Sequence, residues 1–328
     1  MLKFCLSATK WVEEDILQRQ DLILTSVQDK LREKFLNGQR RFYVINNSST
    51  SGIVLVNKPA GVSSNKVVNI VKYKLGAKKC GHLGTLDLEG QGLLPVTVNS
   101  ATKLFDFFLN KTKTYRTVFV FGYETDTLDL AGQKIKEKEC DIQLEELEMA
   151  VFSMIGTYAQ MPPLYSAKKV GGKVAYKEAR QGKSLNLKPK EIMIYDFKLL
   201  NKLEKNVFEF EICCSSGTYI RSVCRDLAEK LSTYGSMQCI IRTRCGVFDL
   251  NDAYTLKQIE DGEFEILQSD CLFDYESLML DKTEEEKLLN GQALNFDVSD
   301  GNYKLYGEKF LGVGIVSEKK LKLDIRLI

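Results

Sequence analysis

Two neighbouring segments of the chain show clear hydrophobic periodicity. Residues 207–213 alternate, with Phe208, Phe210 and Ile212 on one side and glutamates on the other. This alternation predicts a half-buried antiparallel strand. The segment that follows has apolar residues at intervals of three and four, which predicts an amphipathic helix. Its apolar positions are Ile220, Val223, Cys224, Leu227, Ala228 and Leu231. Gly217 and Thr218 precede it as the predicted turn and cap.

Shorter patterns extend this reading along the chain. The apolar run at 53–56, followed by a Pro-Gly turn, predicts a short buried strand. Ser63 and Ser64 can cap a helix that Gly76 is placed to end. The β-branched and aromatic residues of 114–122 predict another strand.

These elements suggest three parts. Residues 1–51 are predicted to form a helical extension, with a helix between Trp11 and Leu36 and a polar linker after it. Residues 52–280 mix strands and helices, which predicts an α+β domain on a largely antiparallel sheet. Residues 281–328 carry short strand patterns broken by glycines, which predicts a small β domain.

Composition narrows the class of protein. The chain has 328 residues, of which 44% are hydrophobic, as expected for a protein with a full core. No apolar run approaches the roughly 18 residues of a bilayer span, so no membrane association is predicted. The nine cysteines are scattered and there is a single histidine, which argues against a metal site and favours reduced thiols in a cytoplasmic protein.

The net charge of +2 hides two basic tracts. Residues 165–190 hold eight basic residues and one acid, and residues 66–79 hold five lysines and no acid. Such tracts suit a polyanion such as RNA, with Lys168 and Lys169 as predicted phosphate contacts. The alternative is two solvated faces with no bound partner.

The most informative segment is GHLGTLD at 81–87, which contains the only histidine, His82. Asp87 stands among glycines and leucines, so we expect it to be buried and to need a partner for its charge. Arg221, in the first turn of the predicted helix, opposes the helix dipole unless an anion compensates it. Asp87 is the candidate anion. The alternatives are a glycine-rich turn capped by Asp87, and an arginine that points to water.

In their order along the chain, seven motifs resemble the TruB-type tRNA pseudouridine synthases over about residues 52–250, with a weaker PUA-like match in the tail. The motifs are NKPAGVSS (57–64), GHLGTLDLEGQGLLPV (81–96), KTYRT (113–117), ETDTLDLAGQ (124–133), MPPLYSAKKVGGKVAYKEARQG (161–182), CSSGTYIRSVCRDLAEKL (214–231) and IIRTRCG (240–246). The resemblance implies the pseudouridine synthase fold and isomerisation of uridine 55 in the T stem-loop of tRNA.

The resemblance also implies residue roles. Asp87 is the expected nucleophile, Arg221 its paired cation, and Tyr115 the tyrosine that packs on the target base. Tyr219 is expected to be the second active-site tyrosine. His82 is expected to hold the remodelled T-loop, and Ile240 to line the pocket where the family usually has leucine. Lys58 and Pro59 match a motif that supports the catalytic loop, for which a structural role is expected.

The chemistry fits these residues. The isomerisation breaks the N1–C1′ bond and joins C5 to C1′, so it needs no metal and no cofactor. An ionised aspartate can attack carbon, and attack on the sugar, attack on the base ring and a glycal route all remain open. Tyr115 is the candidate to mediate loss of the C5 proton, although a phenol of pKa near about 10 is a poor base unless tuned.

The segment after Asp87 departs from the family pattern. Leu88 stands where a proline is usual, and Glu89 adds a negative charge close to Asp87. This departure is the only support for one alternative, a non-catalytic tRNA-binding chaperone. Two other readings stay open: a guide-RNA-dependent synthase, and an unrelated hydrolase in which Glu89 is the second carboxylate. A monomer is expected.

Overall fold

The computed structural model describes residues 50–109, 111–165, 169–170, 173–174 and 187–328. The predicted helix between Trp11 and Leu36 lies outside these ranges, as does nearly all of the predicted domain 1–51. None of the helices in the described ranges combines the length and hydropathy that a bilayer span requires.

The described residues contain six α-helices and nineteen strands, numbered here in chain order. The helices are α1 Ser64–Leu75, α2 Phe105–Leu109, α3 Leu144–Phe152, α4 Ile220–Lys230, α5 Leu256–Asp261 and α6 Lys282–Leu289. The strands are β1 Gly52–Lys58, β2 Cys80–His82, β3 Gln91–Val98, β4 Lys113–Phe121, β5 Tyr123–Thr125, β6 Lys134–Glu137, β7 Gly156–Gln160, β8 Lys169–Val170, β9 Lys173–Val174, β10 Lys190–Glu204, β11 Val207–Cys214, β12 Gly235–Cys245, β13 Phe248–Asp249, β14 Tyr254–Thr255, β15 Glu276–Met279, β16 Leu294–Asn295, β17 Gly301–Tyr306, β18 Phe310–Ser317 and β19 Lys320–Arg326.

A ten-stranded sheet forms the larger part of the molecule. Its strand order is β14-β1-β3-β12-β4-β11-β10-β7, with β2 paired to β3 and β13 paired to β12. The β1–β14 and β3–β12 pairs are parallel, and the other pairs are antiparallel. The predicted α+β fold on a largely antiparallel sheet is therefore confirmed.

Helix α1 forms where its caps predict it. The Ser63 hydroxyl accepts a hydrogen bond from the Lys66 N–H, and Gly76 ends the helix in the left-handed conformation at φ +56°. Its buried residues, Val67, Val68, Val71 and Leu75, face the sheet. Each such side chain contributes about 1.5–3 kcal/mol by leaving water.

Helix α4 buries the predicted apolar face against β12. Its first turn departs from the prediction, because Tyr219 and not Thr218 is the N-cap residue, and no side chain of the cap bonds to the helix. The Thr218 hydroxyl instead donates to the carbonyl of Ser215 at 2.9 Å. Consequently the first turn must find its partners elsewhere in the molecule.

The main core lies between the sheet and helices α1, α3, α4 and α5. Aromatic rings from three neighbouring strands meet at its centre. The centroid of Phe210 is 5.0 Å from that of Phe119 and 5.4 Å from that of Phe197. Such contacts fix the strand register, because slippage by one residue would turn these rings to the other face.

The tail forms a five-stranded sheet of its own, with strand order β15-β17-β18-β19-β16 and a small core that includes Leu305, Leu311 and Leu321. This sheet takes in β15, which precedes position 281, the predicted start of the third domain. The Tyr306 hydroxyl donates to Asp270 at 2.7 Å, which ties the tail to the turn that follows the large sheet.

Candidate active site

Asp87 lies at the tip of a loop between β2 and β3. The N–H of Gly90 bonds to the carbonyl of Asp87 at 3.1 Å and closes a turn. The Asp87 side chain is 54% exposed, so the expectation that it is buried is wrong. Its neighbours Leu86 and Gly90 are buried, as their apolar or small character predicts, but the carboxylate of Asp87 projects outward. An open carboxylate is accessible to a large ligand.

The NKPAGVSS segment holds this loop on both sides of the aspartate. The Ser64 hydroxyl donates to the carbonyl of Leu86 at 2.9 Å and accepts from its N–H at 3.0 Å. Lys58 Nζ donates to the carbonyl of Leu88 at 3.1 Å. Burial lowers the pKa of Lys58 to about 8. The structural role expected for Lys58 is therefore present as direct contacts with the loop backbone.

The predicted partner of Asp87 is in place. Arg221, in the first turn of α4, brings Nη2 to 2.9 Å from Asp87 Oδ2. The same guanidinium donates to the carbonyls of Thr127 at 3.0 Å and Tyr165 at 3.2 Å. Its side chain is 8% exposed. The contact orients the carboxylate while leaving one side open to solvent.

A second carboxylate, Asp129, also contacts this arginine and was missed at the level of sequence. Its Oδ2 lies 3.3 Å from Arg221 Nη1, and its Oδ1 accepts from the Thr127 hydroxyl at 2.7 Å. Leu128, just before it, holds a left-handed backbone at φ +62°, which is costly for a bulky residue. The signal was the motif ETDTLDLAGQ, but nothing local distinguished Asp129 from Asp126.

Tyr115 lies on β4 inside the large sheet and is 7% exposed. In the sheet register it pairs with Ile212 on one side and with Arg242 on the other. Burial raises the pKa of the Tyr115 hydroxyl above its usual value, an effect that the nearby Arg242 partly opposes. The phenol is therefore neutral near pH 7 and is better suited to donate a hydrogen bond than to act directly as a base.

Tyr219 is half-buried at the start of α4 and is held by its backbone. Its N–H donates to the side-chain oxygen of Gln160 at 2.9 Å, and the Gln160 amide donates back to the Tyr219 carbonyl at 3.2 Å. Gln160, which is 2% exposed, thus holds the N-cap residue of α4 from strand β7. This residue was also missed, because the contact comes from a distant part of the chain.

The remaining predicted residues lie in different settings. His82 is half-buried on β2, and burial, together with the charge of Arg242, lowers the pKa of its imidazole. Ile240 is half-buried on β12 and packs against the main core. Lys169 begins β8, while its side chain and all of Lys168 lie outside the described residues.

Arg242, which lies in the motif IIRTRCG, is the third residue that the prediction did not single out. It is 1% exposed, and its guanidinium donates to the carbonyls of Leu93 at 2.7 Å and Gly84 at 3.0 Å. It thus lies directly beneath the loop that carries Asp87.

In the described part of the chain, no group of three or more His, Cys, Asp or Glu side chains is arranged to hold a metal ion.

The chain is similar to several known proteins. Residues 72–220 match the family model for the N-terminal domain of TruB family pseudouridylate synthases. The tRNA pseudouridine synthase B of Caldanaerobacter subterraneus subsp. tengcongensis is 36% identical over 279 residues, which cover 84% of this chain and 98% of that protein. The enzyme of the same name from Aquifex aeolicus is 37% identical over 285 residues, covering 82% and 99% respectively.

A solved structure also shares the fold. A chain in the crystal structure of the archaeal box H/ACA sRNP Nop10-Cbf5 complex aligns with a TM-score of 0.61 and 16% identity, over 84% of this chain and 86% of that one. At this identity the match concerns the fold alone. Since the curated relatives match nearly end to end at more than a third identity, the chain belongs to the TruB family of pseudouridylate synthases.

Proposed function

We propose that this protein is a tRNA pseudouridine synthase that isomerises uridine 55 in the T arm of tRNA, with Asp87 as nucleophile. The observation that carries the proposal is the Asp87–Arg221 contact of 2.9 Å on an open loop, in a chain whose relatives are named tRNA pseudouridine synthase B. Family membership supports the reaction class, and this contact supports the assignment of the nucleophile.

Asp87 begins the reaction. Its exposed carboxylate can reach a nucleotide that has left the RNA stack, and the contact with Arg221 holds it in place for attack. The reaction then exchanges the N1–C1′ bond for a C5–C1′ bond, C5 loses a proton, and N1 gains one. Attack at C1′, attack on the base ring and a glycal route all satisfy this balance.

Arg221 orients the Asp87 carboxylate for its attack on the nucleotide. It is held by carboxylates on both sides and by two backbone carbonyls, so its fork has little freedom to turn. A guanidinium fixed in this way keeps Asp87 in one arrangement before substrate arrives, and such pre-organisation lowers the barrier. Asp129 supports the reaction through Arg221 in this scheme.

The target uridine must leave the stack before it can react. Extruding a base costs roughly a few kcal/mol, and stacking on an aromatic ring returns about 1–3 kcal/mol. We assign the stacking to Tyr115 and further contacts with the flipped nucleotide to Tyr219 and Ile240. His82, with its lowered pKa, would meet the T-loop as a neutral imidazole.

The basic tract at 165–190 is proposed to hold the phosphate backbone of tRNA, with Lys168 and Lys169 among its contacts.

The eight cysteines in the described residues are all free thiols. Reduced cysteines and a tRNA substrate both suit the cytoplasm, to which we assign the protein. We propose that it acts as a monomer without metal or cofactor.

Two measurements on three proteins test the proposal. An unmodified tRNA transcript is incubated with the isolated protein, and pseudouridine is then mapped by mass spectrometry after chemical labelling. We expect modification at position 55 with wild type, none with Asp87→Asn, and full modification with the control Asp106→Asn, which changes an exposed acid on α2. Filter binding should give a similar tRNA affinity for all three proteins.

Each other function predicts a different pattern. A tRNA chaperone would bind and refold the transcript without forming pseudouridine. A guide-RNA-dependent enzyme would be inactive on bare tRNA. Full activity of Asp87→Asn would remove Asp87 from the mechanism while leaving the family assignment intact.

A further inference from the structure

Arg242 is one of the largest fully buried side chains among the described residues. Burying a guanidinium is costly unless its donors are satisfied. Among the described residues it forms no ion pair, and it donates to the carbonyls of Leu93 and Gly84. A permanently charged side chain is therefore held in the interior by backbone carbonyls, a costly arrangement when a neutral side chain could fill the same space.

The sheet places Arg242 directly opposite Tyr115. The two residues are register partners on the antiparallel strands β12 and β4, so their side chains project from the same face. The guanidinium charge lies close to the Tyr115 hydroxyl and opposes the burial-driven rise in its pKa. A bulge follows immediately, between Arg242 and Arg244, which sets this pairing apart from the regular ladder beyond it.

The same guanidinium reaches the catalytic loop. The Gly84 carbonyl that it binds lies three residues before Asp87. The Leu93 carbonyl that it also binds lies on β3, the strand that follows the loop. One side chain thus binds the start of the loop and the strand that follows it, and it lies beside Tyr115.

We propose that Arg242 is a positioning residue that sets Tyr115 relative to the Asp87 loop. The inference rests on the proposed function, since Tyr115 matters only if it meets the target base. The planar fork of arginine offers several donors at fixed angles, so it can bind the Gly84 and Leu93 carbonyls and still present a donor to the Tyr115 hydroxyl. A lysine in this position would keep the charge but could not do all three at once.

The experiment is a double-mutant cycle. Arg242→Lys and Tyr115→Phe are made singly and together, and Arg242→Met removes the charge as well. The control is Arg244→Lys on the same strand, where the side chain is 43% exposed and pairs with Asp249 at 3.1 Å. Single-turnover rates are read from tritium released on reaction of [5-³H]uridine tRNA, and affinities come from filter binding.

We expect Arg242→Lys to lower the single-turnover rate about 10-fold and Arg242→Met about 100-fold, the scale of a small misplacement of reacting groups. Affinity for tRNA should stay within about threefold, and Arg244→Lys should match wild type. In the Tyr115→Phe background, Arg242→Lys should cost less than about threefold, because the hydroxyl through which it acts is gone.

A full 10-fold loss from Arg242→Lys in both backgrounds would overturn the proposal, because additive effects mean that Arg242 does not act through the hydroxyl. A wild-type rate for Arg242→Lys would overturn it as well. If Arg242→Met does not fold, the lysine cycle still decides. An inactive wild-type protein would refute the proposed function instead, so the two failures are distinguishable.

Discussion

Replacing Asp129 with asparagine tests how much the second carboxylate contributes to the site. The introduced amide side chain would have the same shape, and its oxygen can still accept from the Thr127 hydroxyl and the Ala131 N–H. The atom facing Arg221 Nη1, now a carboxylate oxygen at 3.3 Å, would become an amide NH₂. Two donors would then face each other where an ion pair stood.

The size of the effect follows from the burial of the pair. Arg221 is 8% exposed and Asp129 is 23% exposed, so solvent replaces little of the lost contact. A hydrogen bond to a charged group contributes about 1.5–3 kcal/mol. At about 1.4 kcal/mol per factor of ten, the loss corresponds to a rate reduction of about 10- to 150-fold if it falls on the orientation of Asp87.

The assay is single-turnover tritium release from [5-³H]uridine tRNA, with affinity measured separately. We expect Asp129→Asn to react at least about tenfold more slowly, with tRNA affinity changed less than about threefold. The matched control is Asp126→Asn, three residues away, whose carboxylate accepts from the Gln133 N–H. A rate within twofold of wild type for Asp129→Asn, or an equal loss in the control, would refute the reasoning.

Three further outcomes are expected. His82 is the only histidine, so its imidazole gives a single NMR titration, and its pKa should lie below 6.5 because of burial and the charge of Arg242. Because the pKa of His82 is lower in the folded state than in the unfolded state, the free energy of unfolding should fall as the pH drops below about 6.5. His82→Gln should abolish this pH dependence, and an NMR pKa above 6.5 would contradict the predicted direction of the shift. Ser64→Ala loses two hydrogen bonds to the loop backbone and should lower the free energy of unfolding in urea by about 1–3 kcal/mol, whereas an unchanged value would mean that the loop is held elsewhere. Gly92→Ala would place a Cβ 2.4 Å from the Arg242 carbonyl oxygen at φ +94° and should fail to fold by circular dichroism, whereas Gly61→Ala, also at positive φ but in open space, should fold with a modest loss.

Secondary structure was largely predictable because its causes are local. The helix predicted at 220–231 is found at Ile220–Lys230, and the strand predicted at 114–122 is found at Lys113–Phe121. Apolar spacing and capping residues act within a few positions of one another, so they can be read directly from the chain. The N-cap of α4 was mispredicted as Thr218: the helix follows Tyr219, whose backbone N–H is bound by Gln160 from the distant strand β7.

The exposure of Asp87 was not predictable in the same way. Its neighbours are apolar and small, and Leu86 is indeed buried. The turn closed by Gly90, with Ser64 bonded just before it, directs the carboxylate outward. A single residue's direction in a loop depends on hydrogen bonds to distant segments, which no window of sequence contains.

The sequence by itself determined the segments that become helices and strands, the family, and the candidate pair Asp87 and Arg221. Only the tertiary structure decided that Asp129 and not Asp126 supports that arginine, and that Arg242 lies opposite Tyr115. The reason is physical: periodicity and capping are short-range, whereas ion pairs and cross-strand neighbours arise when the sheet register brings distant segments of the chain into contact.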